Sequence, residues 1–304
     1  MRAFLFPGQG SQKVGMAKDL YNEFPLAREI MDEANNLLGF SLTDIMFNGP
    51  EEVLKESKNT QPAILLHSYV VYNLIKDKLG FDATAGHSLG EYTALLAAGV
   101  ISFADALHLV RFRGELMSGA GQKREGTMAA IIGLEKGDVE SIVEECGEEG
   151  IIVIANYNEP HQFVVSGEKT PVMKAVKRAK EKGGRGIPLR VSGAFHSPLM
   201  ETATEPFSKV LTRVEFKEPD KSFYANVTGN KENEPEKIRE LLSKQITSPV
   251  RWTDTIKNMI EDGVHEYVEL GPGNVLTKLV QKISSDVQAY NISNAEDVRR
   301  FLDA

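Results

Sequence analysis

The run Gly86-His87-Ser88-Leu89-Gly90 has the G-x-S-x-G spacing of a strand-to-helix turn that carries a nucleophilic serine. A short apolar strand, Ala83–Gly86, is predicted before it, and a Leu/Ala-rich helix, Leu89–Ala98, after it. So sharp a turn needs small residues on either side, which Gly86 and Gly90 supply. Ser88 would then stand at a helix N-terminus, where free N–H groups and the positive end of the dipole favour developing negative charge. The Leu89 N–H is the first oxyanion donor this geometry offers. A plainer reading fits the same residues: Ser88 caps the helix, and Glu91 completes a capping box.

A serine nucleophile needs a base within about 2.6–3.2 Å. His87 is adjacent in sequence and badly placed, because consecutive side chains leave an extended backbone in opposite directions. His67 and His108 fall inside predicted helices, His161 in a turn, and His265 at a strand start. His196, in "RVSGAFHSPLM", follows a strand on a Gly-containing loop, before a helix opened by Pro198. Catalytic side chains gather on such loops in open α/β sheets, so His196 is the expected base. A hydrolase triad would supply an acid between serine and histidine, with the histidine near the chain end. Here over a hundred residues follow His196 and no acid stands in motif context. A neutral acceptor, a side-chain amide or backbone carbonyl, is expected to orient the imidazole.

The elements that must position these groups alternate. Strands are predicted at Arg2–Phe6, Phe223–Asn226, Glu266–Glu269 and Gln288–Tyr290, and helices at Met16–Tyr21, Pro25–Leu38, Pro62–Lys78 and from Ser102 to about Gly121. Pro62 is assigned to the first turn of its helix. Between Gly126 and Val191 the order is strand Thr127–Gly133, helix Lys136–Glu145, strands Ile151–Asn156 and Gln162–Ser166, helix Pro171–Lys182 and strand Gly186–Arg190. That β-α-β-β-α-β order is the split βαβ of ferredoxin-like units. The expected fold is α/β with a mostly parallel sheet and a small subdomain, residues 126–191, inserted between 1–125 and 192–304.

Composition agrees with a soluble globular protein: 304 residues, 41% apolar and 26% charged. A net charge of −8, from 35 basic and 43 acidic residues, argues against a broad nucleic-acid surface. Cys146 is the single cysteine, which excludes an intrachain disulfide and a Cys-based metal site. The apolar start "MRAFLF" is too short for a signal-peptide core, and no run approaches the roughly 20 residues of a membrane helix. A cytoplasmic, monomeric protein without membrane attachment is expected.

Together the motifs resemble the malonyl-CoA:acyl carrier protein transacylases, within the acyltransferase superfamily of fatty-acid and polyketide synthesis. The likeness runs through "FPGQGSQ" (6–12), "TQPA" (60–63), "GHSLGE" (86–91), "RGELM" (113–117), "NYN" (156–158), "GAFHSPLM" (193–200), "QITSPVRW" (245–252) and "ELGPG" (269–273), in the family's order. It implies an α/β-hydrolase-like body with a ferredoxin-like insert. It also implies roles: Ser88 carries the acyl ester, and His196 takes its proton and later that of the incoming thiol. The backbone N–H of Gln9 joins Leu89 in the oxyanion hole, and the main-chain carbonyl of Gln245 holds the histidine. Arg113 clamps the malonyl carboxylate by two parallel hydrogen bonds, with Met117 one turn along. Arg111 and Arg113 lie about 200° apart around a helix, so only one can face the pocket; the "RGELM" match selects Arg113. Asn156, Asn158 and Gln61 line the acyl pocket. Ala194-Phe195 resembles the malonyl-selective pattern of multidomain relatives, although Gly193 replaces the histidine common there.

The expected reaction is ping-pong transfer of malonyl from malonyl-CoA to the phosphopantetheine thiol of acyl carrier protein, with no metal and no bound cofactor. A serine thioesterase, in which water finishes the reaction, and a non-catalytic acyl-binding module are the competing readings. Carrier proteins are acidic, and Val172–Arg190 holds seven basic residues against Glu181 alone, so this segment is an expected landing surface or else a solvated helix face.

Overall fold

The computed structural model describes residues 1–302. Among these residues ten strands form two sheets: β1 (Arg2–Phe6), β2 (Ala83–Gly86), β3 (Thr127–Ile132), β4 (Ile152–Glu159), β5 (Gln162–Gly167), β6 (Arg185–Pro188), β7 (Ser222–Tyr224), β8 (Lys231–Glu232), β9 (Glu266–Leu270) and β10 (Gln288–Ile292). The larger sheet runs β10-β9-β1-β2-β7-β8, parallel throughout except for β8. The core of β1, Ala3-Phe4-Leu5-Phe6, is fully buried because helices cover both faces of the sheet; hence its unbroken apolar run.

The smaller sheet, β4-β5-β3-β6, is antiparallel and has the strand order of a ferredoxin-like unit. Its helices, Lys136–Gly147 and Lys169–Glu181, pack on one face against Ala129, Ile131, Ile154 and Val165. Strand alternation sends Met128 and Val164 to the other face, which looks onto the larger body, and a bulge in β4 between Ile154 and Asn156 turns Asn156 and Asn158 to that same face. Main-chain bonds tether the two: Tyr157 N–H to the Val250 carbonyl at 2.9 Å and Val250 N–H to the Ala155 carbonyl at 2.8 Å.

One expected boundary fails instructively. The helix assigned to start at Pro62 begins at Ser57, with Pro62 inside it. A proline there lacks the N–H that would bond the carbonyl four residues back. That carbonyl, on Lys58, instead accepts from Arg111 Nη1 at 3.1 Å, so the helix runs on through Ile75. Among the described residues no helix is long and apolar enough to cross a membrane, and no group of three or more His, Cys, Asp or Glu is placed to hold a metal.

Candidate active site

Four neighbouring parallel strands end at one place. β1 runs into Pro7–Gln9, β2 into His87-Ser88, β7 into Asn226, and β9 into the Gly271–Asn274 turn. The carboxyl ends of parallel strands are where an open α/β sheet offers a crevice. Backbone packing there explains the glycines: a Cβ on Gly86 would lie 1.9 Å from the Gly90 carbonyl carbon, and one on Gly90 would lie 2.0 Å from the Phe6 carbonyl oxygen.

Ser88 sits on this turn at φ 52°, a left-handed conformation costly for a side chain with a Cβ. It does not cap the following helix, Gly90–Ala97, whose N-cap position makes no side-chain bond. Nor does Glu91 close a capping box; its carboxylate accepts from the Asn226 N–H at 2.9 Å and from the Gln245 side-chain amide. Among the described residues neither the Leu89 N–H nor the Gln9 N–H has a protein acceptor, whereas the Ser88 N–H is taken by Asn226 Oδ1 at 2.7 Å.

His196 is the second non-glycine residue of this crevice in the left-handed region, at φ 57°. Its loop crosses the Phe103–Lys123 helix so closely that a Cβ on Gly121 would lie 2.4 Å from the Ser192 carbonyl oxygen, and one on Gly193 would lie 3.1 Å from the Gly121 Cα. Glycine at 193 suits this crossing. The loop brings His196 Nε2 to 2.8 Å from Ser88 Oγ. On the opposite ring edge, Nδ1 faces two carbonyls, Gln245 at 2.8 Å and Ser248 at 3.1 Å. Carbonyls only accept, so Nδ1 carries the proton and Nε2 is left to accept from the serine hydroxyl. Burial, and after it the Arg113 cation, push the imidazole down to about 3, which keeps it neutral.

Arg113 reaches the same serine from the Phe103–Lys123 helix. Gly114 lets that helix approach Ser57 and Lys58, where a Cβ would meet the Ser57 carbonyl oxygen at 2.4 Å. The guanidinium is 1% exposed; Nη1 donates to Gln61 Oε1 at 2.9 Å, and Nη2 to Gln245 Oε1 at 2.9 Å and Ser88 Oγ at 3.2 Å. All its acceptors are neutral. Arg111, around the helix, pairs instead with Glu115 and Asn59.

Known proteins share this chain's sequence and fold. The family of acyl transferase domains matches residues 3–300. The chain belongs to that family. A malonyl CoA-acyl carrier protein transacylase of Bacillus subtilis is 43% identical over 97% of this chain and 94% of its own, and one of Staphylococcus aureus is 42% identical over 98% and 97%. A solved acyl-carrier-protein S-malonyltransferase from Bartonella henselae superposes with a TM-score of 0.94 at 41% identity, covering 99% of this chain and 98% of its own. A malonyl-transacylase solved in complex with a type II polyketide acyl-carrier protein gives 0.96 at 38% identity, covering 99% of each chain.

In this acyl transferase the cavity beside Ser88 has a volume of about 290 Å³, between the larger body and the free face of the smaller sheet. Phe195, Asn156 and Asn158 line it; Gln61 and Met117 stand behind Arg113, with the Gln61 amide 3.6 Å from the Met117 sulfur. His87 points away from Ser88 Oγ: its Nε2 is 2.9 Å from Asn158 Oδ1, and its ring lies 5.6 Å from that of Trp252. It therefore joins the two bodies and does not serve the hydroxyl.

Sequence reading missed Asn226 altogether and used Gln245 only through its carbonyl. The Gln245 side chain accepts from Arg113 and donates to the Ser88 carbonyl at 2.9 Å and to Glu91. No spacing rule links positions this far apart; the one signal was that Asn226 follows a short strand of a parallel sheet. The basic segment 172–190 also differs from a free landing surface. Its helix lies on the face of the smaller sheet away from the cavity, and Lys174, Lys177, Arg178 and Lys182 are paired with Glu149, Glu181, Glu145 and Asp138.

Proposed function

We propose that this acyl transferase moves malonyl from malonyl-CoA to the phosphopantetheine thiol of acyl carrier protein through an ester on Ser88, supplying malonyl units for fatty-acid synthesis. The observation that carries the reading is the Arg113 cation, buried beside the nucleophile without a carboxylate of its own. Buried charges are ordinarily paired. A malonyl group on Ser88 would bring the missing anion within a few ångströms, in the bidentate geometry that a guanidinium fits.

The Ser88 hydroxyl gives its proton to His196 Nε2 as Oγ attacks the thioester carbon. The Leu89 and Gln9 N–H groups face the resulting oxyanion, each such donor being worth about 2.7–4 kcal/mol in a transition state. Collapse expels the coenzyme A thiolate, which takes the proton back from the imidazolium. In the second half the carrier thiol gives its proton to His196 and attacks the ester, and Ser88 Oγ recovers the proton as it leaves. The Gln245 and Ser248 carbonyls stabilise the transient imidazolium, in the place an acid holds in hydrolase triads. The insert, residues 126–191, closes the cavity from above, and Asn156 and Asn158 face the arriving thioester arm.

Intact-mass analysis tests the reading. Incubation with malonyl-CoA should add one malonyl to Ser88, and holo acyl carrier protein should remove it far faster than water does. Discharge by water at a comparable rate would make the protein a thioesterase, and no adduct at all would leave a binding module.

A further inference from the structure

Ser88 holds a backbone conformation that a non-glycine residue adopts only when its surroundings enforce it. Close packing of Gly86 and Gly90 shapes the turn on both sides without fixing the peptide between them. The side chain of Asn226, fully buried and 138 residues away in sequence, supplies that fixation. Its Oδ1 accepts from the Ser88 N–H at 2.7 Å, and its Nδ2 donates to the Gly86 carbonyl at 2.7 Å. One planar amide thus bridges the residue before His87 and the residue after it. The Asn226 backbone is held in turn, because its N–H donates to Glu91 Oε1 at 2.9 Å and Glu91 also takes the Gln245 amide.

We propose that Asn226 is a positioning residue of acyl transfer, one that clamps the nucleophile turn through both ends of its amide. The clamp has two consequences. It holds Ser88 Oγ on the line between His196 Nε2 and the cavity. It also takes the Ser88 N–H out of the set of possible oxyanion donors, leaving the Leu89 and Gln9 N–H groups to face the substrate oxygen. Asparagine suits the place because the two backbone groups present one donor and one acceptor, which only an amide satisfies without protonation. An aspartate would turn a carboxylate oxygen toward the Gly86 carbonyl. Misplacement of a reacting atom by about 1 Å costs on the order of 10²-fold in rate.

The proposal rests on Ser88 as nucleophile, and its test does not need malonyl. A neutral fluorophosphonate labels the serine of wild type, Asn226→Ala and Asn226→Asp, with the rate constant and the final occupancy read separately by intact mass. A residue that merely maintains the fold changes the final occupancy and leaves the rate constant of the folded fraction alone. The clamp predicts a rate constant lowered about 10²-fold in Asn226→Ala and at least tenfold in Asn226→Asp at pH 7.5. Lowering the pH should restore the aspartate variant relative to wild type, since a protonated carboxyl donates to Gly86 and accepts from Ser88 as the amide does. Glu91, which accepts from the residue 226 N–H and is raised by burial to about 7, couples to a carboxyl at 226, so the ratio is taken again in a Glu91→Gln background, where that coupling is gone. Wild-type rate constants in both variants, whatever the occupancy, overturn the clamp, as does an aspartate-to-wild-type ratio that stays level with pH. Wild type that reacts with the fluorophosphonate and ignores malonyl-CoA would instead refute the functional reading and leave the clamp to be judged on labelling alone.

Discussion

The two walls of the cavity are built to different standards. On the larger body the side chains beside Ser88 have several fixed partners: Arg113 makes three side-chain hydrogen bonds, and Gln245 engages Arg113, Glu91, Ser88 and His196. On the smaller sheet Asn158 has one side-chain bond, to His87, and the Asn156 side chain has none among the described residues. In the proposed transfer the first wall meets the reacting carbonyl and the acyl end, where geometry decides rate. In that transfer the second would meet the thioester arm, which enters twice, first on coenzyme A and then on the carrier, and is better served by groups free to re-pair. Preorganisation is concentrated where charge develops.

If that contrast is right, the largest losses come from the larger body. Ser88→Ala should abolish the malonyl adduct in intact-mass spectra. His196→Ala should slow both half-reactions about 10²–10⁴-fold, the usual worth of a general base, with malonyl-CoA binding retained in calorimetry. The wild-type pH profile adds a sharper check. An imidazole titrating at its ordinary 6.5 would lose the base form below that pH; held at about 3, His196 keeps it. His196 therefore contributes no fall in acylation rate from pH 7.5 to 5.5 in stopped-flow measurements; a fall centred near 7 would belong to Glu91, which burial raises to about 7, and should vanish in Glu91→Gln. Stability carries the opposite cost: the unfolded chain takes up this proton near 6.5 and the folded chain refuses it, so the histidine's contribution, complete above 6.5, erodes toward 3. Urea midpoints at the two pH values, compared with His196→Ala, read that difference.

Arg113→Ala comes next. Removing the cation from a buried charge pair costs about 2–5 kcal/mol, so malonyl transfer should fall on the order of 10²–10³-fold in kcat/KM. Acetyl transfer, with no carboxylate to lose, should hold or rise. An unchanged preference for malonyl- over acetyl-CoA would remove the cation from substrate recognition and leave the rigid wall without its purpose.

The serine turn and the histidine loop were legible because each is a local pattern: small residues at a forced turn, and glycine beside a catalytic-type side chain; Arg113 was picked out only by the family likeness of "RGELM". The strand order of the smaller sheet was legible for the same reason, as a succession of short periods. What escaped were bonds between distant segments. Nothing local distinguishes Asn226 in "ANVTG" from any polar residue after a strand, and Glu91 read as a capping partner because its true partners lie over 130 residues away. Pro62 misled for a related reason: the carbonyl that its missing N–H leaves free is taken by a donor distant in sequence, Arg111.

The adaptable wall predicts smaller effects. Asn158→Ala removes one neutral hydrogen bond, worth about 1 kcal/mol, and should raise the KM for malonyl-CoA and for holo carrier protein about fivefold while leaving the acylation rate at saturating malonyl-CoA within twofold. An equal loss in acylation would mean that this wall, too, is committed to the reacting centre.

The least effect is expected where the basic residues are densest. Reversing Lys177 and Arg178 to Glu alters a helix face turned away from the cavity and already neutralised by Glu145 and Glu181. Arg185 and Arg190 differ: both are exposed, neither makes an ion pair among the described residues, and Arg190 stands between Leu189 and Val191, which line the cavity. Of the two, Arg190 adjoins the cavity lining, whereas Arg185 lies at the other end of β6, opposite Ile132. At low salt, where surface charge counts most, Arg190→Glu should slow transfer to the carrier several-fold and leave acylation by malonyl-CoA unchanged, whereas the Lys177/Arg178 reversal should stay within twofold on both. The reverse ranking would move the landing site to the far face of the smaller sheet and require the carrier arm to reach around it.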